Sequence, residues 1–225
     1  MGLQDKLDAF KARFQSGLPP FAGLPADTHA LMRRATEGLQ ASGLAARAVT
    51  SGAAPPFDLE ESGGGRVRLA ELLRAGPLVL SFYRGIWCPY CNLELKELEL
   101  HAPAIRAAGA ALLTITPQSP ANSRKLLADH GLSYAIASDP GNEVAARYGL
   151  RFRLPDYLID LYQRLGVRLP AFNLDESWTL PMPARYVIDR GGQIRYAAVS
   201  PDYTVRPDPN EVLPTLERLA TERVA

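Results

Sequence analysis

From Phe57 onward the chain alternates short apolar runs with stretches of helical periodicity. This alternation limits the fold more than any other feature. PLVLSFY (Pro77 to Tyr83) is almost continuously apolar, as expected of a strand covered on both faces of a sheet. AALLTIT (Ala110 to Thr116) is a second such run, and SYAIAS (Ser133 to Ser138) a weaker third. ARYVID (Ala184 to Asp189) and QIRYAAV (Gln193 to Val199) flank Arg190, Gly191 and Gly192, which read as a hairpin turn. Helical stretches are expected at 89–107, 120–130, 141–148 and 209–221. Strands interleaved with helices imply an α/β domain with a mixed central sheet flanked by helices, its last hairpin antiparallel.

Residues 1–50 stand apart as an N-terminal helical extension. Leu3, Leu7, Phe10 and Phe14 recur at helical spacing. Leu31, Met32, Ala35 and Leu39 do so again, with Thr28 as the expected cap and Gly43 as the stop. SGAAPP (Ser51 to Pro56) reads as a linker, so the main domain spans 55–225. Within it, residues 151–181 are long for a connection and carry a helical stripe of Leu158, Leu161, Tyr162 and Leu165. This insertion is expected to pack on the body of the domain; the alternative is a partner surface or a homodimer face.

Composition excludes several classes of function. A net charge of +1 makes no electrostatic case for nucleic acid or an anionic membrane. No apolar window is long enough to span a bilayer. The first residues, MGLQDKLDAFKARF (Met1 to Phe14), are charged throughout and lack the apolar core of a signal peptide. A cytoplasmic protein is the default expectation.

The chain has two cysteines, Cys88 and Cys91, in FYRGIWCPYCNLEL (Phe82 to Leu95). A close pair in a reducing compartment points to redox or metal chemistry more than to a structural staple. A disulfide across so short a loop would also constrain the unfolded chain little. Pro89 suits the first position of a helix, which makes Cys88 its N-cap and Cys91 its third residue. Free backbone N–H groups and the positive end of the helix dipole favour thiolate there. Cys91 opens an apolar stripe with Leu95, Leu98, Ala102 and Ile105, so it should face the core. Cys88 lies one turn earlier and is the better nucleophile on helix geometry alone, with Cys91 as the resolving thiol. Structural zinc needs about four ligands. His29, His101 and His130 lack the spacing to supply the rest, so no metal is expected.

WCPYC (Trp87 to Cys91) is similar to the active site of thioredoxins and glutaredoxins. The longer FYRGIWCPYCNLEL resembles peroxiredoxins of the alkyl hydroperoxide reductase/thiol-specific antioxidant family. ITPQSP (Ile115 to Pro120), ASDPGNEVAARYG (Ala137 to Gly149) and YVIDRGGQIR (Tyr186 to Arg195) resemble that family's later signatures in the same order. The likeness covers about residues 55–220 and implies a thioredoxin-like fold. The family pattern P-x-x-x-T-x-x-C places its peroxidatic cysteine on Cys91, its threonine on Cys88 and its proline on Arg84. Glu94 matches the family glutamate. The family arginine falls on Pro183, which matches instead the cis-proline that faces the pair in thioredoxins. The two likenesses disagree about the nucleophile, and both cysteines stay catalytic candidates.

Arg84 is the candidate to supply the missing positive charge; the alternative is an exposed residue in a loop. Arg206 lies where some members have another arginine. Trp87 and Tyr90 are expected at the surface of the site, against a peptide or reductase, or else as ordinary packing at a helix start. The resemblance implies a thiol-dependent peroxidase acting on hydrogen peroxide and alkyl hydroperoxides. It would need no cofactor and would be restored by a thioredoxin- or glutaredoxin-type reductant. The peroxide is expected in a pocket bounded by Pro183 and residues 84–87. The alternatives are a thiol–disulfide oxidoreductase and a non-enzymatic redox-sensing partner.

Overall fold

The structure is a computed structural model and describes residues 2–222. Two helices, α1 (Leu3–Gln15) and α2 (Thr28–Ala41), open the chain. The strands are β1 (Gly52–Ala53), β2 (Asp58–Glu61), β3 (Arg66–Arg68), β4 (Leu78–Phe82), β5 (Ala111–Thr116), β6 (Ala135–Ser138), β7 (Arg151–Arg153), β8 (Thr179–Pro181), β9 (Ala184–Ile188) and β10 (Gln193–Val199). Between and after them lie α3 (Leu69–Ala75), α4 (Pro89–Ala107), α5 (Pro120–His130), α6 (Glu143–Arg147), α7 (Asp156–Arg164), α8 (Leu169–Asn173) and α9 (Leu213–Thr221).

The main sheet has eight strands in the order β1-β10-β9-β4-β5-β6-β2-β3. β4 lies at its centre, parallel to β5 and antiparallel to β9. All five residues of β4 are buried, which is why its sequence is a continuous apolar run. Successive side chains of a strand point to opposite faces. Leu78, Leu80 and Phe82 therefore enter one core with Tyr148 and Tyr186, while Val79 and Tyr83 enter a second with Cys91, Leu95 and Leu98. That second core is the apolar stripe of α4, in which Cys91, Leu95, Leu98, Ala102 and Ile105 are all at most 1% exposed. Each such leucine or isoleucine contributes about 1.5–3 kcal/mol by leaving water. The end of β4 and the start of α4 are thereby locked to each other, five residues of loop and one cap apart.

Several local expectations change. Thr28 is not the cap of α2: Asp27 precedes the helix, with no side-chain cap bond, and its carboxylate accepts from Arg164 at 2.9 and 3.1 Å. The linker at 51–56 contains β1, which pairs with β10 at the sheet edge. The hairpin β2–β3 and the pair β7–β8 went unrecognised because their residues alternate with charges or are only three long.

The insertion is closed at its base by β7 and β8, antiparallel to each other. Its helix α7 buries Leu158, Leu161 and Tyr162 in a separate small core with Leu31, Met32 and Ala35 of α2. The stripe faces the chain's own N-terminal helices, so it is not a free dimer face. Leu3 and Leu7 of α1 belong to the core beneath α4.

Candidate active site

The loop from β4 to α4 is held from three sides. Gly85 adopts φ +147°, and a Cβ there would stand 2.5 Å from Nε1 of Trp87, so the indole packs directly on the glycine backbone. The backbone N–H of Ile86 donates to Oε1 of Gln118 at 2.8 Å. Gln118 in turn donates to Tyr83 Oη and Ser123 Oγ, both at 3.1 Å. Asn92 of α4 donates to the Ile86 carbonyl at 2.9 Å. Gln118 and Asn92 were not singled out from the sequence, although Gln118 lies inside the quoted ITPQSP stretch. It is the fully buried anchor that fixes the loop.

Cys88 caps α4 in an extended conformation and Pro89 occupies the first helical position, with its ring exposed. Both sulfurs are free thiols. Cys88 is 2% exposed and lines a cavity of ≈ 220 Å³; Cys91 is fully enclosed and does not line it. Burial alone would push the Cys88 thiol up. A hydrogen bond from Cys91 and the charges of Arg84 and Arg206 outweigh it and bring the group from the ordinary 9.0 down to about 6. Cys91 is pushed the other way, by burial and then by the Cys88 thiolate. One negative charge is thus held by the pair, and it rests on Cys88.

Arg84 is 2% exposed, so the reading of it as an exposed loop residue is overturned. The buried ring faces around it explain why. Its guanidinium lies 4.4 Å from the ring centre of Tyr203 and 5.0 Å from that of Trp87. Nη2 donates to Tyr162 Oη at 2.7 Å, and Nε has no partner among the described residues. No carboxylate pairs with it there. An unpaired buried cation is costly, and the Cys88 thiolate is the anion that offsets it.

The other side of the pair is closed. Glu94, one turn after Cys91, accepts from Arg185 at 2.7 Å and from Arg206 at 2.6 Å, with all three side chains at most 1% exposed. Arg206 Nη2 reaches Cys91 Sγ at 3.6 Å. Arg185, two residues after the position to which the family arginine was assigned, was not singled out, because the family pattern points to position 183 and Glu94, its partner, lies 91 residues away along the chain. Pro183 is buried and borders a second cavity of ≈ 370 Å³ with Arg84, Tyr162 and Tyr203. The cis peptide bond expected there is not present: among the described residues the cis bond is Pro19–Pro20. Pro183 instead continues an extended path from β8 into β9, anchored by Met182 N–H to Leu150 and by Ser200 N–H to the Pro183 carbonyl.

Tyr90 does not lie open at the surface. It is 5% exposed, edge-on to Phe10 of α1 at 5.1 Å and to Tyr203 at 5.4 Å. Trp87 is half-buried and meets Tyr162 edge-on at 5.6 Å. The Cys88 cavity is therefore walled by Phe10, Phe14 and Phe21 from the N-terminal region and by Tyr162, Leu165 and Val167 from the insertion. The pocket bounded by Pro183 is the neighbouring one, joined to it through Arg84. No histidine lines the Cys88 cavity, and no cluster of three metal-ligating side chains exists among the described residues. No helix among them is long and apolar enough to cross a membrane.

Comparison with known proteins finds peroxiredoxins. Peroxiredoxin Q of Triticum aestivum chloroplasts is 26% identical over 179 residues, covering 78% of this chain and 72% of the relative. Peroxiredoxin Q of Gentiana triflora chloroplasts is 26% identical over 148 residues, 65% of this chain, which spans 58% of that relative's length. The crystal structure of the peroxidoxin BcpB from Mycobacterium tuberculosis superimposes with a TM-score of 0.59 at 22% identity, covering 75% of this chain and 96% of that one. The sheet and its flanking helices are thus a thioredoxin-like fold of the kind found in peroxiredoxins. The family model for AhpC/TSA matches residues 50–197, the segment that carries β4, the cysteine loop, α4 and Glu94, and the chain belongs to that family.

Proposed function

We propose that the chain is a thiol-dependent peroxidase in which Cys88 attacks the peroxide and Cys91 resolves the product. One observation carries this assignment. The sulfur that borders the cavity is the ionised one, and it faces an arginine that no carboxylate neutralises. The Cys88 thiolate attacks the terminal oxygen of a hydroperoxide; the O–O bond breaks, and the electron pair leaves with the inner oxygen as alkoxide or hydroxide. Cys88 becomes a sulfenic acid. The Cys91 thiol then condenses with it, releasing water and forming the Cys88–Cys91 disulfide. Residues three apart on a helix face each other, so the pair needs little movement to close. A thioredoxin- or glutaredoxin-type dithiol restores both thiols by exchange. The arrangement uses no metal or organic cofactor, and a reducing compartment such as the cytoplasm suits it.

Membership of the AhpC/TSA family and the peroxiredoxin relatives support peroxide as the substrate. The burial of Cys88 under Phe10, Tyr162 and Trp87 weighs against disulfide exchange with bulky protein substrates. The test is the rate at which hydrogen peroxide oxidises the fully reduced protein, followed by stopped-flow tryptophan fluorescence through Trp87. Oxidation far faster than that of a free thiol at equal thiolate fraction is expected. A rate no faster than the free thiol rejects the peroxidase and leaves disulfide exchange.

A further inference from the structure

The insertion places one hydroxyl against the cysteine site. Tyr162, on α7, is 4% exposed and borders both the ≈ 220 Å³ cavity at Cys88 and the ≈ 370 Å³ cavity beside it. Its oxygen accepts from Arg84 Nη2 at 2.7 Å. Its own proton has no acceptor among the described residues. A buried O–H donor that faces a cavity without a partner is costly unless something in that cavity accepts from it. On its hydrogen-bond partner, Arg84 Nε is likewise buried without a partner. Both groups present a hydrogen to donate. The apolar core of the insertion accounts for a buried ring at 162 but not for its hydroxyl, since a phenylalanine would fill the same place.

Peroxide reduction supplies the missing acceptor. When the Cys88 thiolate takes the terminal oxygen, the oxygen that leaves is an alkoxide or hydroxide, a far stronger base than a phenolate. We propose that Tyr162 is the catalytic acid of the first oxidation, protonating this leaving oxygen as the O–O bond breaks. The proton goes from Tyr162 Oη to the leaving oxygen, which departs as alcohol or water. The phenolate left behind faces the Arg84 guanidinium, and it takes back a proton from solvent. Before the reaction Arg84 offsets the Cys88 thiolate; after it, Arg84 offsets the Tyr162 phenolate. The negative charge never lies unpaired in the apolar site. This gives the insertion at 151–181 a chemical purpose: it carries the acid.

The proposal rests on Cys88 being the sulfur attacked, and its test uses the leaving group to separate the two ideas. The first oxidation of reduced wild type and of Tyr162→Phe is timed by stopped flow with hydrogen peroxide, tert-butyl hydroperoxide and peracetic acid. The thiolate fraction of each protein is measured by ultraviolet absorbance and divided out. Hydroperoxides expel a strongly basic oxygen, whereas peracetic acid expels acetate, which needs no proton. The expected result is a loss of about 10²-fold with both hydroperoxides and little change with peracetic acid, as for removal of a general acid. An equal loss with all three, or no loss, overturns the proposal; the first would mean that Tyr162 only holds Arg84 in place. Should Tyr162→Phe fail to fold, the solvent deuterium isotope effect on wild type decides. An effect with the hydroperoxides that vanishes with peracetic acid supports the acid, and the same effect throughout overturns it. A wild type no faster than a free thiol overturns the peroxidase reading, and with it this one.

Discussion

Two buried arginine sites flank the cysteine pair, and they are neutralised in opposite ways. On the Cys91 side, Arg185 and Arg206 share the carboxylate of Glu94, and their Nη1 groups donate to the backbone carbonyls of Pro207 and Val205. A carboxylate of the fold itself balances charge there. On the Cys88 side, Arg84 has aromatic faces and one phenol around it but no carboxylate. A charge that the fold itself neutralises serves structure, tying α4 to β9 and to the segment before α9. A charge left for a thiolate serves chemistry in the mechanism proposed above. The difference also explains why two adjacent thiols in one helical turn ionise so differently, since cavity, open cation and low thiol all coincide at Cys88.

The comparison breaks first at the sulfurs. Cys88→Ser should abolish the rapid reaction with peroxide, while Cys91→Ser should keep the first oxidation and stall at the sulfenic acid. Stopped-flow fluorescence with a sulfenic-acid trap reads both, and rapid oxidation of Cys88→Ser would move the nucleophile to Cys91.

The next largest effect is on stability. Glu94→Gln leaves two buried guanidinium groups facing a neutral amide, and breaking such a pair costs about 3–5 kcal/mol. At about 2–4 °C of Tm per kcal/mol for a chain of this size, thermal melting should fall by roughly 10 °C. Arg84→Met should behave oppositely. It removes a cation with no carboxylate partner, so Tm should hold or rise, while the Cys88 thiol should titrate about one unit or more higher as its nearest positive charge is lost. Thiolate absorbance against pH measures the second effect. A Tm loss in Arg84→Met as large as that in Glu94→Gln would erase the distinction between the sites.

The last effect is the pH dependence of stability. Cys88 ionises at about 6 in the folded protein against 9.0 for an ordinary thiol, so between those values the unfolded chain binds more protons than the folded one. Stability of the reduced protein therefore rises with pH through that window, and the gain is lost as pH falls toward 6. Urea unfolding of wild type and Cys88→Ser at both ends of the window should show a gain in wild type that the variant lacks.

Much of the frame was legible in the residues. The central strand, the helix from Pro89, the capping role of Cys88 and the inward stripe from Cys91 depend on local spacing, and the structure reproduces them at nearly the same boundaries. The active-site partners were less legible. Glu94 and Arg84 are near the cysteines in sequence and were read as candidates. Arg185, Tyr162 and Gln118 lie 97, 74 and 30 residues from Cys88, counted along the chain, and none carries a spacing signal that links it to the pair. Tyr90 was misplaced for the complementary reason: its cover, Phe10, comes from the other end of the chain.

By itself, the sequence determined that a thiol pair stands at a helix N-terminus behind a buried strand, because strand burial, proline placement and helix periodicity are properties of neighbouring residues. Only the tertiary structure decided which thiol is ionised and reachable. That depends on where the arginines, the phenol and the aromatic walls converge, and such convergence is set by packing between distant segments, on which local periodicity is silent.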